Sequence, residues 1–156
     1  MAVERTFIIF KPDAVQRGIC GEIMTRFERK GLKLVGTKLI SVARELAETH
    51  YGEHKGKPFY DGLVDFITKS PVLCLALEGP YAVSVARKLI GKTFGNEAEG
   101  GTIRGDFGIS KGMNLIHGSD SVESAQRELE LWFKPEELLS YERPADAWVS
   151  NEEDRV

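Results

Sequence analysis

Two stretches of the chain are apolar without interruption, Phe7-Ile8-Ile9-Phe10 and Val72-Leu73-Cys74-Leu75-Ala76-Leu77. Runs of this length predict central strands covered on both faces. Between them, Leu32 to Val42 alternates apolar and polar positions, and its phase slips at Leu34-Val35 just before Gly36, which predicts a strand with a bulge. A further short strand is expected over Met113 to Ile116. Elsewhere the spacing is helical. Ile19, Cys20, Ile23, Met24 and Phe27 share one face and Gly31 ends the pattern, so a helix is predicted over residues 19 to 30. Arg44 to Lys69 is helical in two pieces, broken around Gly52 to Pro58. After a turn at Gly79-Pro80, Ala82, Val85, Ala86, Leu89 and Ile90 form a second stripe. Val122, Ala125, Leu129 and Trp132 form a third, pointing inward from a helix over Ser121 to Phe133, and Pro135-Glu136-Glu137 begins a last short helix.

This order reads as a β-α-β-β-α-β core with additions. It predicts an α/β (α+β) chain of the ferredoxin-like class: a four-stranded antiparallel sheet with helices on one face, a helical-hairpin insertion and a C-terminal arm from Arg143 packed down by Trp148. A length of 156 residues, 42% of them hydrophobic, suits one domain spanning residues 1–156. Residues 91 to 112 hold seven of the sixteen glycines and little periodicity. They read as a long irregular loop, and such loops between core-like segments are usually functional.

The net charge of −3 argues against a surface that coats polyanions. Phosphate binding would have to come from a few placed cations, and nucleic acid is not expected as the main partner. Cys20 and Cys74, the only cysteines, lie in apolar surroundings without a C-x-x-C spacing, which suits a reducing compartment. Met1-Ala2-Val3-Glu4-Arg5 carries an acid and a base where a secretion signal would need an apolar run, and no stretch approaches membrane-spanning length. A cytoplasmic location, away from membranes, is the expectation.

The chemistry centres on Asn114-Leu115-Ile116-His117-Gly118-Ser119-Asp120. Asp120 followed three residues later by Glu123 signals a helix start, which would place His117 beside a helix N-terminus, where free N–H groups favour an anion and disfavour an imidazolium. A neutral imidazole at an anion site is a nucleophile with somewhere to put a phosphoryl group. A lone histidine ending a strand is more often an ordinary core residue, so the weight rests on the rest of the chain. Lys11 at a strand end, Arg87 near a helix end and Arg104 in the loop are cations able to grip phosphate oxygens, although each alone also reads as a solvated surface charge. Phe59, beside Pro58, suits either a stacking platform for a base or a staple fixing the insertion. Thr93 and Asn114 offer donors for phosphate and ribose.

Three motif matches carry less. Gly91-Lys92-Thr93 resembles the end of a Walker A loop but lacks the leading glycine, and Asp106-Phe107-Gly108 has no accompanying H-R-D for a protein-kinase site. His50-Tyr51-Gly52-Glu53-His54 fits an H-x-x-E-H zinc-peptidase pattern, but its glycines weaken the helix and no third ligand is evident.

Taken as a set, these residues resemble the nucleoside diphosphate kinase family. The resemblance runs without gaps from Thr6 to Trp148. It rests on N-x-x-H-G-S-D at Asn114 to Asp120, on Lys11-Pro12-Asp13, Gln16-Arg17-Gly18, Tyr51 with Lys57-Pro58-Phe59, Arg87 with Thr93, and Gly101-Thr102-Ile103-Arg104-Gly105-Asp106-Phe107. It implies transfer of the γ-phosphoryl group from a nucleoside triphosphate to a nucleoside diphosphate in a ping-pong cycle through a phosphohistidine on His117, with broad base specificity. By the same resemblance, Glu128 holds the other ring nitrogen of His117 and Ser119 supports that carboxylate. Arg87, Thr93 and Arg104 grip the β- and γ-phosphates, Tyr51 lies near the phosphoryl in transit, Lys11 and Asn114 hold ribose and phosphate, and Phe59 stacks on the base. Mg²⁺ is expected to bridge phosphate oxygens without direct protein ligands. Homo-oligomers are implied, with a hexamer preferred over a tetramer because of the long arm.

Three positions depart from the family pattern. Phe94-Gly95 replaces Asn or Asp followed by Pro, and Gly100 replaces a proline, which predicts a looser loop. Lys111 stands where an apolar residue would face Phe59, so that its methylene stem would have to cover the base. A nucleotide-binding relative without turnover would have lost His117, Glu128 or an arginine, and none is lost; an RNA-binding ferredoxin-like domain would carry a glycine-aromatic strand signature, which is not seen.

Overall fold

The computed structural model describes residues 3–156, and Met1 and Ala2 of the N-terminal run lie outside it. Strands β1 (Val3–Phe10), β2 (Lys33–Ile40), β3 (Val72–Pro80) and β4 (Ile116–Gly118) form one sheet in the order β2-β3-β1-β4. All three pairings are antiparallel, and the register of β2 shifts between Leu34 and Gly36, where the alternation slips. The two uninterrupted apolar runs occupy the two central strands.

Helix α1 (Pro12–Gln16) follows β1 directly, because Pro12 fixes a helical φ and has no N–H to satisfy. Helix α2 (Cys20–Lys30) ends at Gly31, whose φ of 109° lets its N–H reach back to the Glu28 carbonyl. Helices α3 (Arg44–His50) and α4 (Tyr60–Thr68) make the insertion, α5 (Ala82–Ile90) follows β3, α6 (Ile103–Phe107) lies in the glycine-rich loop, and α7 (Val122–Trp132) follows β4.

Alternation along β1 divides the core. Ile8 and Phe10, with Leu75 and Leu77 of β3, pack against Ile23 and Phe27 of α2 and Ala82, Ala86 and Ile90 of α5. Phe7 and Ile9, with Cys74 and Ala76, face the opposite way onto Ala47, Val64 and Ile67 of the insertion and Leu129 and Trp132 of α7. A ferredoxin-like sheet with helices on one face would leave this second face bare; the insertion and the last helix close it. Truncating Phe7, which is fully buried, would cost about 3–5 kcal/mol on core precedent.

Several local expectations need correction. β4 begins at Ile116, not Met113, because Leu115 takes a φ of 73°, which no strand residue adopts. The N-cap of α7 is Ser121, whose hydroxyl accepts from the Ser124 N–H, rather than Asp120. Val122 on that helix is 49% exposed, and Glu128 is buried in its stead. Trp148 is 92% exposed and does not pack the arm. The arm is built of 3-10 turns, in which successive side chains point about 120° apart, and it is Val149 that lies against Gly31. Arg143 completes the attachment by donating to the Gly31 carbonyl at 2.9 Å.

The glycine-rich loop is tied down more firmly than its composition predicts. Thr102 caps α6 by accepting from the Gly105 N–H, Arg26 of α2 pairs with Asp106 at 2.6 Å, and Arg17 donates to the Phe107 carbonyl at 2.7 Å. Gly95 sits so close to Gly108 that a Cβ there would lie 2.6 Å from the Gly108 carbonyl oxygen. The departure from proline at this position is therefore built into the loop's packing.

Candidate active site

The register of β4 decides which way His117 faces. It pairs with Ile9, so its ring lies on the Phe7 and Ile9 side of the sheet, among the residues of α3 and α7. Its Nε2 is 2.9 Å from Glu128 Oε1, and the same oxygen accepts the Ser119 hydroxyl at 2.6 Å. Ser119 is fully buried and accepts from the Phe7 backbone N–H at 3.3 Å, so the carboxylate is anchored through Ser119 to the central strand. Burial works against ionisation of Glu128, but the hydrogen bonds from His117 and Ser119 and the attraction of His117 outweigh it and hold its pKa below the usual carboxylate range. An ionised partner at Nε2 places the ring proton there and leaves Nδ1 with a free lone pair.

Sequence reasoning missed the third ring at this site. His50, which entered only as part of a zinc-peptidase match, meets His117 edge to face with centroids 4.8 Å apart. Its Nδ1 accepts from Trp132 Nε1 at 3.1 Å, and burial, reinforced by His117, pushes its pKa down to about 3. His50 is therefore neutral, with its proton on Nε2. His50, His117 and Glu128 bring potential ligand atoms within 4.8 Å of one another, yet His50 Nδ1 and His117 Nε2 are already committed to Trp132 and Glu128, and the other His50 nitrogen carries the proton. This is a hydrogen-bonded cluster rather than a metal cage, and His54 lies apart, against Phe59. The only available signal for His50 was its place beside Tyr51 on α3. Tyr51 is buried against His50, and burial raises its hydroxyl pKa to about 12, so it remains a donor.

A second network lies at the end of β1. Lys11 is 8% exposed and its Nζ donates to Asn114 Oδ1 at 2.9 Å, while Asn114 Nδ2 donates to the Thr93 carbonyl at 2.8 Å. Arg104, 4% exposed, donates to the carbonyls of Asn114 at 3.1 Å, Gly91 at 3.3 Å and Ile116 at 2.6 Å. Burial, and then Arg104, lower the Lys11 pKa to about 8; burial, and then Arg87, lower that of Arg104 to about 10. Buried cations close enough to repel one another are what a candidate anion site would offer. Arg87 donates to the Gly118 carbonyl at 3.1 Å, next to His117.

The fold thus gathers Lys11, Asn114, Arg104, Arg87, Thr93, Ser119, Glu128, Tyr51 and His117. Phe59 and Lys111 remain outside this knot. Phe59 is 51% exposed, with His54 edge-on against its ring at 5.2 Å, and the Lys111 ammonium lies 5.8 Å over Phe94 rather than against Phe59. Two of the departures from the family pattern are therefore partners of each other.

The family model for nucleoside diphosphate kinase matches residues 4–138. This chain belongs to the nucleoside diphosphate kinase family. Curated kinases of that name from Staphylococcus aureus, strain JH9 among them, are 59% identical over 147 residues, covering 94% of this chain and 99% of theirs. The solved structure of the Halobacterium salinarum kinase in complex with CDP is 51% identical and superposes with a TM-score of 0.93 over 95% of this chain and 99% of its own. The Borrelia burgdorferi kinase, solved as a transition-state mimic with vanadate and ADP, is 38% identical with a TM-score of 0.90, over 96% of this chain and 99% of its own. The enzyme's activity is that of its family, phosphoryl transfer between nucleoside triphosphates and diphosphates.

Proposed function

We propose that Nδ1 of His117 carries the phosphoryl group between the two nucleotides. The observation behind this reading is the 2.9 Å contact of Nε2 with Glu128, which leaves Nδ1 as the nitrogen free to attack. Its lone pair forms a bond to the γ-phosphorus as the bond from that phosphorus to the β,γ-bridging oxygen breaks, and the diphosphate leaves with the bonding electrons. The ring becomes cationic as the N–P bond forms, and Glu128, braced by Ser119, stabilises that charge. A second diphosphate then reverses the step.

Arg87, Thr93 and Arg104 hold the phosphates, Tyr51 donates toward the phosphoryl in transit, and Lys11 with Asn114 holds the ribose and phosphate. Mg²⁺ would be held through the nucleotide's phosphates and would supply neutralisation of their charge. Glu128 is committed to His117 and Ser119, which fits a metal that would be held through phosphates alone. Phe59 stacks on any base, because a ring face does not distinguish base edges. The test is incubation with γ-labelled ATP and Mg²⁺. Acid-labile, alkali-stable label should appear on the chain, be absent in His117→Ala, and chase onto GDP, UDP and CDP alike; nucleotide binding without label would refute the relay.

The same reading extends to assembly as a homo-oligomer, hexamer before tetramer, in the cytoplasm. β2 is an edge strand with Leu39 62% exposed, and a hollow of about 900 Å³, lined by apolar residues such as Leu129, Phe133 and Leu138 and by charged Glu4, Arg5 and Glu78, contains none of the site residues. Among the described residues no helix is long and apolar enough to cross a membrane. The mass in solution, by light scattering, tests the assembly.

A further inference from the structure

The residue two places before His117 is strained. Leu115 is fully buried and carries a φ of 73°, and the Ile116 N–H donates to the Asn114 carbonyl at 2.8 Å across it. Positive φ with an i to i+2 hydrogen bond marks the rare, strained form of γ-turn, which costs a γ-branched residue about 1–3 kcal/mol. Such a turn persists only if its surroundings hold it. Both peptide groups of Leu115 are in fact held. Its carbonyl accepts from the Lys11 N–H at 2.8 Å, and its N–H donates to Asp13 Oδ2 at 3.0 Å. The flanking carbonyls, of Asn114 and Ile116, are both taken by Arg104.

Of these fastenings only one comes from a side chain outside the phosphate-binding set. Asp13 stands in the first turn of α1, aligned by Pro12, and its carboxylate crosses to the loop before β4. Its other oxygen, Oδ1, is buried and has no hydrogen-bond partner among the described residues. An unpaired buried carboxylate oxygen is costly, and the arrangement accepts that cost to secure one backbone N–H. That N–H sits in the turn that orients Asn114 on one side and His117 on the other.

We propose that Asp13 is a positioning residue for phosphoryl transfer: by clamping the Leu115 N–H it holds the strained turn that sets Asn114 against Lys11 and aims His117 into the site. The proposal rests on His117 being the phosphorylated residue. Asp13 touches no substrate in this account. Its effect passes through the backbone of Leu115, so its carboxylate oxygen matters as an acceptor and asparagine can replace it, whereas alanine cannot.

The experiment compares single-turnover phosphorylation by MgATP in wild type, Asp13→Ala, Asp13→Asn and Asp13→Ala/Leu115→Gly, with His117→Ala as the blank and near-ultraviolet circular dichroism to confirm folding. Loss of a charged hydrogen bond predicts that Asp13→Ala slows labelling roughly 10- to 100-fold. Asp13→Asn should recover to within about 5-fold of wild type, since an amide oxygen still accepts. Glycine adopts a φ of 73° without strain, so the double variant should label faster than Asp13→Ala despite its emptier core. A purely stabilising role for Asp13 predicts the opposite order. Wild-type rates in folded Asp13→Ala, equal slowing in Asp13→Asn, or a double variant slower than the single would each overturn the proposal. If wild type itself acquires no label above the blank, it is the His117 reading that fails.

Discussion

Replacing Glu128 by glutamine isolates the charge behind the nucleophile. Glutamine keeps the volume and can still present an oxygen to His117 Nε2 and to the Ser119 hydroxyl, which stand 2.9 and 2.6 Å from the present carboxylate oxygen. What disappears is the negative charge, and its value grows as the imidazole becomes cationic on forming the N–P bond. A charge-assisted hydrogen bond contributes about 1.5–3 kcal/mol against about 0.5–1.5 for a neutral one, so the difference is about 1–2 kcal/mol. At about 1.36 kcal/mol per factor of ten, phosphorylation should slow roughly 5- to 30-fold. Glu128→Ala should slow it further, because nothing then selects the tautomer with its proton on Nε2 and the Ser119 hydroxyl keeps only its long contacts with the Phe7 backbone. The assay is rapid-quench labelling at saturating MgATP, with nucleotide affinity measured separately and expected to be nearly unchanged. A Glu128→Gln rate within twofold of wild type would show that the carboxylate is only a structural anchor.

Lys11 gives a pH prediction with opposite signs for activity and stability. Its pKa of about 8, lowered by burial and by Arg104 against the pull of Asp13, means that kcat/KM should fall as pH rises through about 8, as a phosphate-holding cation is lost. Stability should instead rise between about 8 and 10.5, because there the unfolded chain binds the proton that the folded one has shed; chemical denaturation at pH 7.5 and 10 measures this. Phe59→Ala should weaken nucleotide binding by about 1–3 kcal/mol, equally for all four bases, in calorimetric titrations, and a base-dependent loss would mean edge recognition by another group. Gly95→Ala should lower stability by about 1–3 kcal/mol, read from thermal unfolding, since its Cβ would meet the Gly108 carbonyl oxygen at 2.6 Å, and an unchanged melting temperature would mean that the loop yields freely.

The central strands, the bulge before Gly36 and the helix closed by Gly31 were legible because each depends on local pattern and local backbone chemistry. The candidate site residues come from the family resemblance, which carries no distances. His50 escaped because its role is made by a contact with Trp132, 82 positions away, and nothing in its neighbourhood announces that partner. Trp148 misled for a related reason: a tryptophan in a sparse tail invites the assumption of burial, whereas the arm's turns present Val149 to the body. Met113 to Ile116, apolar but for Asn114, reads as strand, which places the start of β4 too early. A leucine at positive φ leaves no mark on sequence, and the clamp that permits it comes from Asp13, 102 positions earlier. Lys111 shows the limit from the other side, since its partner, Phe94, is itself a departure from the pattern that would have located it.

The central claim concerns one nitrogen atom. Enzyme labelled with ¹⁵N at its histidines, phosphorylated with MgATP and examined by long-range ¹H–¹⁵N and ³¹P correlation, reports which ring nitrogen of His117 bears phosphorus. The 2.9 Å contact between Nε2 and Glu128 predicts phosphorus on Nδ1 with the Nε2 proton retained. Phosphorus on Nε2, or on a residue other than His117, would contradict the account.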